Sequence, residues 1–166
     1  MRKLKKKYER PLKPWDRARI ELEKGIVQDY GLRRKREIWR AESILRNYRR
    51  LARQLAAKRD KEREKILIEK VHKTGLLPSQ ETTLDDVLAL TVERVLERRL
   101  QTQVFRKGLA SSMKQARQFV VHGHIALDGR RVRQPSTLLK SGEEGKLSFY
   151  EKSKIKLSGE KVGKTT

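Results

Sequence analysis

Six apolar residues between positions 38 and 55 recur at steps of 3, 4, 3, 4 and 3: Ile38, Ala41, Leu45, Tyr48, Ala52 and Leu55. Such steps place all of them on one stripe of an α-helix and on no common face of a strand. The spacing therefore predicts a long helix over 32–59. Its other face carries Arg36, Arg40, Arg46, Arg49, Arg50 and Arg53, with few acids among them. One side of this helix requires a core. The other requires a partner that accepts positive charge.

The whole chain shares that imbalance. Its 166 residues hold 43 Lys and Arg against 21 Asp and Glu, a formal charge of +22. Residues 1–70 carry 25 basic and 11 acidic side chains, and the remainder 18 and 10. Self-repulsion on this scale opposes compactness unless a polyanion relieves it. Nucleic acid is the leading candidate, and an anionic membrane surface is second. Leu, Ile, Val and Phe make up about a quarter of the residues, more than the roughly 20% below which disorder is the default. Part of the chain must therefore pack.

Several classes of function drop out. Without cysteine there is no disulfide and no thiolate zinc site. The longest apolar run is four residues, Val87 to Leu90, far short of the ~20 needed to span a bilayer. Met1 to Lys7 is basic, but no apolar stretch follows, so it does not read as a secretory signal. A soluble, intracellular protein is the expectation.

The chain divides into four stretches. Residues 1–30 read as a basic arm, interrupted by Pro11 and Pro14 and anchored by Trp15. A short helix over Asp16–Lys24 is expected within it, with Asp16 as N-cap and Gly25 as its stop. Residues 31–90 form a helical region. It holds the long helix, a solvated helix of mixed charge over Lys58–Lys70, a loop over Thr74–Gln80, and a capping box at Thr83-Leu-Asp-Asp86.

Residues 91–150 change texture. A helix is expected from about Thr91, burying Val92, Val95, Leu96, Leu100 and Val104 and stopping at Gly108. Ser112-Met-Lys-Gln115 is a second capping-box candidate, opening a helix that buries Met113, Ala116, Phe119 and Val120 and ends at Gly123. Period two follows: a strand at His124–Leu127, a hairpin turn at Asp128-Gly129, a partner strand over Arg130–Arg133, and a last strand at Lys146–Tyr150. Residues 151–166 read as a basic Gly/Ser/Lys tail, disordered when alone. The fold class is α+β: a helical N-terminal region plus a small helix-helix-strand domain.

The candidate binding residues follow from this layout. Arg98, Arg99, Arg106, Lys107, Lys114 and Arg117 lie on or between the first two helices of 91–150. Lys114, Arg117 and Gln118 share a helix face. Ser111 and Ser112 stand at a helix N-terminus, where free N–H groups favour a phosphate. The Arg33–Arg36 run fits a nuclear-type basic patch or a solvated face, but its place on an amphipathic helix favours contact with a nucleic-acid backbone, with Arg33, Arg34, Arg36 and Arg40 as the candidates. Trp39 could stack on a base, while Tyr48 belongs to the core stripe. Arg98 and Arg99 are ~100° apart on a helix, so at least one is expected to pair with an acid. His122 suits a helix C-terminus, and His124 could meet a phosphate or pack at a strand start. Two histidines without a third ligand or a partner acid give no metal site and no base. Asp85 and Asp86 are explained by capping. No catalytic residue and no cofactor is assigned.

The order of elements and their wording resemble a known module. Glu97-Arg-Arg-Leu-Gln-Thr-Gln-Val-Phe-Arg-Lys-Gly-Leu-Ala-Ser-Ser112 resembles its first helix and loop, and Met113-Lys-Gln-Ala-Arg-Gln-Phe-Val-Val-His-Gly-His-Ile125 its second helix and first strand. Asp128-Gly129 and Pro135-Ser136 also match. This is the S-four RNA-binding domain, which also occurs in pseudouridine synthases, aminoacyl-tRNA synthetases and rRNA methyltransferases. Tyr30-Gly-Leu-Arg-Arg-Lys-Arg-Glu-Ile-Trp-Arg40 resembles the N-terminal region of the archaeal and eukaryotic small-subunit ribosomal proteins of this family. Together the resemblance covers roughly residues 8–150.

That resemblance implies a primary binder of small-subunit ribosomal RNA that helps nucleate assembly of the subunit body. It also implies an influence on decoding accuracy, the fifth and twelfth small-subunit proteins as neighbours, and a cytoplasmic location in the small subunit. Some bacterial relatives carry a zinc-binding cysteine cluster near the N-terminus. This chain has none, and no metal is assigned. Three rivals stay open: an RNA-modifying enzyme carrying the module, a non-ribosomal factor, and a DNA-binding regulator.

Overall fold

The computed structural model describes residues 6–78, 82–153 and 155. Residues 1–5 of the expected arm, residues 79 and 80 of the expected loop with residue 81 after it, and residues 154 and 156–166 of the expected tail lie outside them.

Asp16 caps the first helix, α1 (Arg17–Asp29), its carboxylate accepting from the Arg19 N–H. Gly25 does not stop this helix. It sits within it, costing about 1 kcal/mol against alanine, and the chain turns instead at Tyr30 and Gly31. The long helix, α2 (Arg36–Lys58), follows. Ile38, Ala41, Leu45 and Ala52 are buried, with Tyr48 and Leu55 packed against them, so the stripe reads as expected. Arg59 adopts a left-handed conformation, and Asp60 caps the next helix, α3 (Lys61–Lys73). Only Leu67 and Val71 of α3 are buried, consistent with a helix solvated on most sides. Thr83 and Asp86 form the expected capping box of α4 (Leu84–Ala89).

The helix expected to run from Thr91 to Gly108 is two helices, α5 (Val92–Glu97) and α6 (Leu100–Arg106). Arg99 breaks it with extended backbone. The reason is tertiary. Arg98 and Leu100 pair with the returning 137–139 segment, Leu139 N–H donating to Arg98 O at 2.9 Å and Leu100 N–H to Thr137 O at 2.7 Å. These bonds replace the helical ones that the break removes.

Ser112 caps α7 (Met113–His122), accepting from the Gln115 N–H at 3.2 Å. The reciprocal half of the box is displaced by one residue: Gln115 Oε1 accepts from the N–H of Ser111. Three short antiparallel strands follow, β1 (Ile125–Leu127), β2 (Arg130–Arg131) and β3 (Leu147–Phe149), in the order β2-β1-β3. Asp128 and Gly129 both take positive φ, as a two-residue primed turn requires. Leu127 faces Arg130 on one side and Leu147 on the other.

Two apolar clusters result. One joins α2, α3, α4 and α5 around Ile38, Leu45, Val71 and Leu96. The other joins α6, α7 and the sheet around Leu100, Val120, Ile125 and Leu139. Burying each such side chain fully contributes about 1.5–3 kcal/mol.

Candidate nucleic-acid interface

The two clusters meet at a polar joint. Glu37, in the first turn of α2, receives Arg117 of α7 through two hydrogen bonds, one to each carboxylate oxygen and each 3.2 Å long. Arg99, at the α5–α6 break, pairs with the same carboxylate. Burial alone would push the Glu37 carboxyl up. The two guanidiniums outweigh it and hold the group below the ordinary carboxylate value. One acid thus answers two arginines, and a net positive charge remains at the joint.

Gln101 completes the seam. It is 1% exposed. Its amide nitrogen donates toward the carbonyls of Tyr30, Gly31 and Met113 at 3.0–3.2 Å. Gly31 allows the approach. Its φ is +54°, and a Cβ there would stand 2.8 Å from the Cβ of Met113.

The predicted site residues divide by what holds them. Arg98 packs against Gly75, donates to the carbonyls of Leu139 and Lys140, and pairs with Glu144. With Arg99 on Glu37, both adjacent arginines, and not merely one, have an acid. Lys107 directs its ammonium at the carbonyls of Gly145 and Leu147, at 2.9 and 2.6 Å. Arg106 pairs with Glu97 at 2.8 Å while staying exposed. Ser112 is committed to its cap. His124 is half-buried, Nδ1 lying 2.9 Å from Ser153 Oγ and its ring edge-on to Phe119.

The remaining candidates are exposed and carry no side-chain bond among the described residues: Arg33, Arg34, Arg36 and Arg40 around the start of α2, and Lys114 and Gln118 on α7. The joint brings these two groups together. Arg33, Arg36 and Arg40 flank Glu37 in sequence, Lys114 and Gln118 flank Arg117, and Glu37 and Arg117 are bonded. Exposed lysine and arginine without an acid partner leave charge open to the phosphates of an external polyanion.

A second basic group was not singled out from the sequence. Arg130, Arg131 and Arg133 are exposed along the hairpin. Arg131 lies 5.4 Å above the Tyr150 ring. A Cβ at Gly123 would meet Arg131 Cδ at 2.9 Å and Arg133 Nε at 3.1 Å, so the missing side chain makes room for both. The available signal was a hairpin with three arginines in four residues directly after an Asp-Gly turn. Gln101 gave no signal, because its neighbours Leu100 and Thr102 are buried as well.

Among the described residues, no three His, Asp or Glu side chains gather as metal ligands, and no helix is long and apolar enough to cross a membrane.

Comparison with known proteins fits this geometry. Residues 98–144 match the S4 domain family, the S-four module that the motifs resemble. The chain is 49% identical over 162 residues to small ribosomal subunit protein uS4 of Korarchaeum cryptofilum, covering 96% of this chain and 97% of the relative. It is 50% identical to the protein of that name from Methanothermobacter thermautotrophicus, covering 93% and 92%, and 47% identical to that from Sulfurisphaera tokodaii, covering 93% and 89%. With half the residues shared over nearly the full length of both chains, and an S4 domain whose two helices and hairpin stand as the motifs require, the chain belongs to the small ribosomal subunit protein uS4 family.

Proposed function

We propose that the chain is a structural constituent of the small ribosomal subunit, not an enzyme, and that it binds ribosomal RNA directly. One observation carries this reading: a cationic surface assembled from two separately cored halves across the Glu37 joint. The joint fixes the spacing between the α2 cations and the α7 cations. A rigid spacing of charges suits RNA recognised by shape, at a place where helices converge. Arg33, Arg34, Arg36, Arg40, Lys114 and Gln118 make the contacts in this proposal. Arg98, Arg99, Lys107, Ser112 and Arg117 hold the surface in shape, Arg106 and His124 lie at its margins, and the hairpin arginines extend it.

The finer reading is that of a primary binder that nucleates assembly of the subunit body and contributes to translational accuracy. Its neighbours are the fifth and twelfth small-subunit proteins, and it works in the cytoplasm within the subunit. The membership of the family supports this reading.

Crosslinking in cells, followed by sequencing of the attached RNA, tests it. A single dominant footprint on small-subunit ribosomal RNA at a multi-helix junction is the expected result. Crosslinks scattered over tRNA or large-subunit ribosomal RNA would move the function to a factor or a modifying enzyme.

A further inference from the structure

A groove of about 670 Å³ runs between the N-terminal arm and the corner where α1 meets α2. Tyr8 and Trp39 form its aromatic wall. Their ring centroids are 6.0 Å apart and tilted by 39°, in direct contact and too close to admit a third ring between them. Pro11, Leu12 and Pro14 add apolar lining, with Leu12 wholly exposed. Five cations line the same groove: Arg10, Arg19, Arg34, Lys35 and Arg36. Glu23, its one acid, is buried and occupied. It takes Arg19 at 2.5 Å, Lys35 at 3.2 Å and the Trp39 indole N–H at 3.0 Å. Arg10, Arg34 and Arg36 have no acidic partner among the described residues. Glu23 also accepts from the indole N–H, which orients the Trp39 ring along the groove wall.

Aromatic wall, apolar lining and uncompensated arginines together describe the chemistry of a nucleotide: a base to cover the ring face and a phosphate to satisfy the guanidiniums. We infer that this groove holds one unpaired, extruded nucleotide of the bound RNA, its base laid against the Tyr8–Trp39 wall and its flanking phosphates on Arg10, Arg34 and Arg36. The inference rests on the RNA-binding reading above and adds to it a site for single-stranded RNA at the edge of that contact surface, sharing Arg34 and Arg36 with it.

The test uses the full chain carrying Trp15→Phe, which leaves Trp39 as the sole tryptophan. The probes are a single-stranded RNA pentamer, an RNA duplex of about 16 base pairs and, as a polyanion without bases, heparin. Binding is followed by anisotropy of labelled probe and stacking by quenching of Trp39 emission. The expected result is that all three probes bind at low salt and that only the pentamer quenches strongly. Tyr8→Ala should then weaken the pentamer by about tenfold, the order set by one stacked base, and leave the duplex unchanged. Tyr8 lies in the arm outside both apolar clusters, so this variant keeps its fold. Binding of all probes without pentamer-specific quenching, or a Tyr8→Ala affinity equal to the parent's, would overturn the nucleotide site and leave the RNA-binding reading intact. Failure of both RNA probes to bind would overturn both.

Discussion

Glu37 is the residue on which the assembled surface depends. A lone carboxylate between two guanidiniums is stable only with its charge. Glu37→Gln keeps the shape and removes the charge, leaving Arg99, 5% exposed, without its counter-ion. Breaking a buried pair in this way costs on the order of 3 kcal/mol, and chemical denaturation should show the loss. The pH dependence has a fixed sign. The folded-state pKa of Glu37 lies below its ordinary value of 4.5. Its contribution is therefore fully present above that value and is lost as pH falls through the lower folded pKa. Glu23, likewise held low by Trp39, Lys35 and Arg19 against the upward push of burial, adds in the same direction. Stability measured from pH 6 down to pH 3 should hold nearly level until pH approaches 4.5 and then fall in the parent chain, less steeply in Glu37→Gln. An equal slope in both would remove Glu37 from this role.

At the scale of elements, the surface is held by cations that point inward. Lys107 caps the carbonyls that precede and open β3, and Arg98 gathers the 139–144 return. Lys107→Met keeps the apolar stem and removes the donors. Faster amide exchange is expected in β3 and the preceding 3-10 turn (Glu144–Lys146), with little change in α2. The outward cations behave differently. The triple variant Arg36→Glu, Arg40→Glu, Lys114→Glu should keep the parent melting temperature, since none of the three has an internal partner. Its affinity for small-subunit ribosomal RNA should fall at least tenfold, and its salt slope should become shallower by about one for each phosphate that is no longer neutralised. Unchanged affinity at matched salt would sink the proposed contact surface.

For the whole molecule, a charge of +22 on two small cores makes the RNA part of the energetics. If about ten phosphates are neutralised, log K falls by roughly 7–9 per decade of salt. The second core draws no member from the N-terminal arm. Deleting residues 1–30 removes α1 and the Tyr30 carbonyl beneath Gln101, yet leaves every member of the Leu100–Leu147 cluster in place. NMR of the truncated chain should retain the β1–β3 signals while RNA affinity falls. Collapse of those signals would show that the second core cannot stand without the arm. Much of this architecture was legible in residue order. Apolar stripes at helical period, the caps at Asp16, Thr83 and Ser112, and the Asp-Gly turn are local signals, each set by geometry within a few residues. The family motifs are equally local, which is why the S4 domain is legible in the sequence. What sequence alone determined is therefore most of the elements, their order, the module and the demand for a polyanion. The tertiary structure decided which arginines are free. Arg36 and Arg99 look alike in sequence, but pairing with an acid 62 residues away separates them, and the backbone break at Arg99 exists only because a strand-like segment returns to meet it. Whether a charge faces solvent or a carboxylate depends on contacts between distant segments, and no local pattern encodes that.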